Sequence, residues 1–283
     1  DWGNEAGRFF IAMEYLDGLT LDSVNERLGK LSLQFVVPIV KAVADAAHYV
    51  HQQGFVRNDI KPHNIMLTAV GRVCLLDFGI TKSLKESSEP DFGAITKVGA
   101  SVETPTFSAN KVVGIGKTTI TKAGGFVGTP LFSAPEQLDR GEADARADIY
   151  SLGVVLYRML TGVHPFGGDG MAEIMRAHLF KNPEPPSYYA LIPEAVDRVV
   201  LKCLQKDPNQ RYQTMQEMAE ALVEAAGNLP PADLSSLVTA IRAEAEHIEA
   251  VNQVNTLETP VDSLFDVAIS DVFTVTQAPA PNM

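Results

Sequence analysis

The stretch FVRNDIKPHNIMLTAVGRVCLLDFG, Phe55 to Gly79, decides how this chain is read. It opens with Asp59, Lys61 and Asn64 in close succession and closes on Asp77. Between Asn64 and Asp77 lie two short apolar runs, separated at Val70-Gly71. They predict strands over Asn64–Thr68 and Arg72–Leu76, joined by a tight turn. A hairpin brings its two ends together, so Asn64 and Asp77 become neighbours.

These residue types suit one kind of chemistry. Magnesium takes hard oxygen ligands, and an amide and a carboxylate supply them at Asn64 and Asp77. A second carboxylate, Asp59, can orient an attacking hydroxyl and accept its proton. Lys61 beside it can offset negative charge that develops on a transferred phosphoryl group.

Outward from this stretch the pattern is mostly helical. Leu21–Leu28 reads as a short helix closed by Gly29. Ser32 heads a longer one, whose apolar stripe runs from Phe35 through Val50 to a stop at Gly54. Pro38 inside it predicts a late start or a mild kink. Ala147–Leu160 is apolar on nearly all sides, which places it in the middle of a core. Further helices are expected over Gly170–Leu179, Ile192–Leu204 and Thr214–Ala226. Toward the N-terminus, FFIAMEY (Phe9–Tyr15) reads as the second arm of a hairpin with a turn at Asn4, Gly7 and Arg8. Asp17-Gly18 breaks that strand. Thr81 to Phe126 carries no sustained period and reads as a long loop. Past Pro230-Pro231, a stripe from Leu234 to Val251 serves either packing or a partner, and the last thirty or so residues are expected to be disordered.

Composition narrows the classes. Apolar residues make up 46% of the 283, enough for a sizeable core. A formal net charge of −12 disfavours nonspecific binding to nucleic acid or anionic lipid. The two cysteines are far apart and read as free thiols, and the six histidines form no ligand pattern. No apolar run approaches the roughly 18 residues of a membrane span. A cytoplasmic domain is the expectation.

Several motifs, taken in order, carry a resemblance. DIKPHN with the downstream DFG resembles the catalytic and magnesium loops of protein kinases. GTPLFSAPEQ (Gly128–Gln137) resembles the end of their activation segment. ADIYSLGVVLYRMLTG resembles their buried central helix, KDPNQRYQT their late arginine motif, and FIAMEYLDG their hinge. The D-x-K-P-x-N form and the GTP of the P+1 loop resemble Ser/Thr rather than Tyr kinases, and the chain as a whole is similar to the bacterial, eukaryotic-like (Hanks-type) Ser/Thr kinases.

The resemblance implies an α+β, kinase-like fold, mainly the helical large lobe with the hinge strand. It implies ATP and Mg2+ as cofactors and proteins with Ser/Thr acceptors as substrates. Asp59 would be the base and Lys61 the phosphate-stabilising cation, with Asn64 and Asp77 on the metal. Thr129 would bond Asp59 and Lys61. Glu136 would pair with Arg211, and Asp148 would bond the catalytic-loop backbone. Met13 would stand beside adenine and Met66 beneath it, although both would also serve as plain core. The backbones of Glu14 and Leu16 would meet the adenine edge. Thr118, Thr119 and Thr121 are either autophosphorylation sites or ordinary loop threonines.

Two decoys are set aside. A second DFG at Asp91-Phe92-Gly93 follows Ser-Ser-Glu-Pro rather than an anchoring apolar strand. GIGKTT (Gly114–Thr119) lacks the first glycine of a nucleotide P-loop, Lys111 standing in its place.

The chain also departs from the family. Residues 1–16 look like a remnant of the small lobe and hinge, without a glycine-rich loop or strand lysine, so little catalysis is expected of this chain by itself. The large lobe would span 17–226, and a helix with an acidic tail 227–283. The usual His-Arg before the catalytic Asp is Arg57-Asn58. Arg57 is expected to pair with Asp148, and Asn58 cannot pair with a phosphate by charge. The activation segment, 77–136, carries an insertion at about 83–125, either a docking or autoinhibitory loop or a tolerated one. A binding module without transfer activity, a pseudokinase or scaffold, is the alternative reading.

Overall fold

The computed structural model describes residues 2–5, 8–11, 13–76, 82–83, 130–139 and 143–257. They fall into two units, Asp1–Val238 and Thr239–Met283. The first unit opens with a hairpin. Strands β1 (Trp2–Glu5) and β2 (Arg8–Ile11) run antiparallel, with Trp2 opposite Ile11 and Glu5 opposite Arg8. The arm is shorter than Phe9–Tyr15, Asn4 and Arg8 lie in the strands rather than a turn, and Met13–Asp17 has no regular structure. Phe10 is half exposed.

Gly18 is more than a breaker. It starts strand β3 (Gly18–Thr20), which pairs antiparallel with β5 (Ile65–Thr68), itself paired with β6 (Val73–Leu75). A Cβ at Gly18 would lie 2.2 Å from the Leu67 carbonyl oxygen, so the close backbone approach demands glycine. Between β3 and β5 come a short strand, β4 (Phe55–Val56), and two helices. β4 pairs with β7 (Lys82–Ser83), within the segment read as loop.

Helix α1 (Leu21–Leu28) begins where Thr20 Oγ1 accepts the Ser23 N–H at 3.2 Å and ends at Gly29 with φ 70°. Helix α2 (Leu33–Gln52) starts at once rather than late, and continues through Pro38. Ser32 contributes its carbonyl to the first turn, not a side-chain cap. Among the described residues, α2 is long and apolar enough to cross a membrane by length and composition. Its stripe of Val36, Ile39, Val40, Val43, Ala44 and Ala47 is buried, and the helix packs on α4 (Ala145–Thr161) and α7 (Met215–Ala226).

Helix α4 (Ala145–Thr161) is the centre of the core. Asp144 caps it, Gly162 closes it with φ 76°, and from Ala147 to Thr161 every residue but Arg158 is buried. Each large apolar side chain so removed from water contributes about 1.5–3 kcal/mol. Around α4 stand α3 (Pro135–Asp139), α5 (Met171–Phe180), α6 (Glu194–Cys203) and α7 (Met215–Ala226). Cys74 and Cys203 are free, and full burial pushes the Cys203 thiol up to about 12.

One polar cluster lies inside this core. Tyr150 Oη sits 3.0 Å from His178 Nδ1, and the Lys206 ammonium lies over the Phe166 ring at 3.9 Å. Burial, then His164 and Lys206, push His178 down to about 3, so the ring is neutral. A neutral ring carries one N–H, so the tautomer sets which of Tyr150 Oη and His178 Nδ1 donates.

Helix α8 (Leu234–Leu257) begins in the first unit, where Leu234 and Val238 are buried. Its residues from Thr239 onward make up the described part of the second unit.

Candidate active site

The residues from Arg57 to Lys61 form an irregular loop, followed by one 3₁₀ turn over Pro62–Asn64 that leads into β5. What shapes the loop is a single carboxylate beneath it. Asp148, on α4, is 0% exposed. Its Oδ2 accepts the Arg57 N–H at 2.9 Å, and its Oδ1 accepts the Asn58 N–H at 2.7 Å. His51, near the end of α2, donates Nε2–H to Oδ2 at 2.8 Å. A buried charge persists only when its acceptor sites are filled, and three donors fill these.

This corrects one expectation and meets another. Asp148 does bond the catalytic-loop backbone. Residue 57, however, gives it a main-chain N–H rather than a guanidinium ion pair, and the side-chain donor is His51. No sequence signal singled out His51. It stands among polar residues at a helix end, and its partner lies 97 positions away.

On the outer side of the loop, Asp59, Lys61 and Asn64 converge as expected. Asn64 Nδ2 donates to Asp59 Oδ2 at 2.8 Å and to the Asp59 carbonyl at 3.0 Å. Lys61 Nζ meets the same Oδ2 at 2.9 Å. Asp59 is about half exposed, so it remains open to an incoming hydroxyl. Both hydrogens of the Asn64 amide are committed to Asp59. Its Oδ1 is then the atom left for a cation, which is the hard donor magnesium prefers.

Asp77, the other expected ligand, lies outside the described residues, as do Thr118, Thr119, Thr121 and Thr129. The backbone reaches its threshold: the Leu76 N–H donates to the Asn64 carbonyl at 2.7 Å, closing the β5–β6 hairpin beside Asn64.

Farther out, Glu136 and Arg211 form the expected pair, and it is bidentate. NH1 meets Oε1 and NH2 meets Oε2, each at 2.7 Å. Arg211 is buried and also donates to the carbonyls of Arg146, Gln205 and Lys206. That uses its full fork and fixes the start of α3 to the loop before α7.

The adenine-side residues are less gathered. Met66 sits at the centre of the β3–β5–β6 sheet, opposite Thr20 and Cys74. Met13 is 77% exposed, so it does not serve as core. Glu14 reaches toward Arg72 at 3.4 Å, and Leu16 is partly buried.

With this geometry in hand, comparison with known proteins is direct. The protein kinase domain family matches residues 1–223. Serine/threonine-protein kinase PknB of Mycobacterium leprae is 34% identical over 223 residues, covering 78% of this chain and 31% of that protein. PknB of Mycobacterium tuberculosis is 33% identical over the same shares. A probable serine/threonine-protein kinase of Clostridium acetobutylicum is 32% identical, covering 81% of this chain and 30% of that protein. The chain thus spans about a third of the length of these relatives. The crystal structure of the Mycobacterium tuberculosis PknI kinase domain matches with a TM-score of 0.51 at 24% identity, covering 80% of this chain and 69% of that one, and speaks for the fold. The chain therefore belongs to the protein kinase domain family.

Proposed function

We propose that the protein transfers the γ-phosphate of ATP to serine or threonine hydroxyls of other proteins. The observation that carries this reading is the convergence of Lys61 and Asn64 on Asp59 Oδ2. Their two positive hydrogens hold the carboxylate in one rotamer and leave its other oxygen to orient the acceptor hydroxyl and take its proton. Lys61 stands where it can also offset charge gathering on the phosphoryl oxygens. Asn64 Oδ1 and Asp77 would hold Mg2+, which bound there would neutralise part of the triphosphate charge. Adenine would lie along the backbone of Glu14 and Leu16, with Met13 and Met66 at its faces. Thr129 would approach Asp59 and Lys61 from the substrate side. Thr118, Thr119 and Thr121 are the residues to examine for self-phosphorylation, and the cytoplasm is the compartment proposed.

The test is transfer of labelled phosphate from ATP to a Ser/Thr protein substrate by the full-length protein, with and without Mg2+. Asp59→Asn should lower the rate by about 100-fold or more while the fold persists. Transfer that survives Asp59→Asn would sink the assignment. Absence of any transfer by the unaltered protein would favour a binding module.

A further inference from the structure

We infer that Gln137 is a positioning residue: its carboxamide ties the catalytic loop to the start of α3 and so holds Asp59 in its working place. The inference deepens the kinase reading and rests on it for its catalytic meaning.

The geometry is specific. Gln137 Oε1 accepts the Ala134 N–H at 2.7 Å. Its Nε2 donates toward Asn58, 3.2 Å from Oδ1 and 3.4 Å from the carbonyl oxygen. These partners fix the amide's orientation. Turned over, it would set NH2 against the Ala134 N–H and its oxygen against the Asn58 carbonyl, a mismatch at both ends.

Asn58 needs such a hold. Its φ is 60°, the left-handed region, and it is the described non-glycine residue that occupies it. Strained backbone persists where its surroundings over-determine it. Here Asp148 takes the Asn58 N–H from below, while Gln137 takes its carbonyl and side chain from the α3 side. Asp59 is the next residue along the chain, so its direction follows from that clamp. The far end of the tie is firm as well, because neighbouring Glu136 is held by Arg211 through two 2.7 Å bonds. Asn58 and Gln137 are both neutral amides, so the tie needs no phosphate to form.

The test uses two variants in the full chain. Gln137→Glu keeps an acceptor for the Ala134 N–H but loses the donor to Asn58. Gln137→Met fills the space with neither. Hydrogen–deuterium exchange over residues 57–61 should rise about 10-fold in both, with α4 unchanged. In the phosphotransfer assay kcat should fall about 10-fold, with KM for ATP within twofold of the unaltered protein. Unaltered exchange over 57–61 in both variants would overturn the inference, whatever the transfer rate. If the unaltered protein transfers no phosphate while the variants exchange faster, the tie is supported and the proposed activity is what fails.

Discussion

Replacing Asp148 by alanine removes the acceptor of three hydrogen bonds at once. The Arg57 and Asn58 amides and the His51 imidazole would keep their hydrogens in a site from which water is excluded. Each buried donor left without a partner costs about 1–3 kcal/mol, so the loss is on the order of 5 kcal/mol. That is comparable to the whole stability of many domains. Asp148→Asn is gentler. One oxygen still accepts, and His51 can present its other tautomer to the new NH2, but one backbone N–H then faces a donor. Its cost is about 1–3 kcal/mol. Urea unfolding followed by circular dichroism measures both. With a slope of roughly 2 kcal/mol per molar, the asparagine variant should lose about 1 M in midpoint and the alanine variant 2 M or more. An alanine variant whose midpoint lies within about 0.5 M of the unaltered protein would refute the reasoning. It would mean that Asp148 does not bear on the loop above it.

Two further outcomes concern the core. Arg211→Met should cost about 3–5 kcal/mol by urea unfolding, since it strands Glu136, and adding Glu136→Leu should recover part of that loss. His178, held neutral in the fold at about 3, must take up a proton in the unfolded chain as pH falls below 6.5. The unfolded state then binds more protons, so stability falls as pH drops from about 6.5 toward 3. His178→Gln should flatten that limb of the midpoint-against-pH curve.

The parts legible in advance were those written in local terms. Helix α1 announces itself through Gly29, and α4 through its mostly apolar run and Gly162. Asp59, Lys61 and Asn64 lie so close in sequence that one loop and one turn suffice to join them. What escaped depends on distant partners. β3 is three residues long and exists because β5 pairs with it, so Asp17-Gly18 read as a break. His51 and Gln137 are ordinary polar residues until Asp148 and Asn58 arrive beside them. Arg57 invited an ion pair by charge, yet the backbone amide took the position.

The dependence on Asp148 also has a consequence for how the protein is made. The two loop amides find their acceptor 91 and 90 residues farther along the chain. At a synthesis rate of about 5–20 residues per second, the loop leaves the ribosome roughly 5–20 s before α4 can follow it. During that interval the Arg57 and Asn58 amides lack the Asp148 carboxylate, and the loop that carries Asp59 lacks its buried anchor. A nascent chain halted before α4 would carry every residue of the DIKPHN motif without the carboxylate that anchors their loop from beneath.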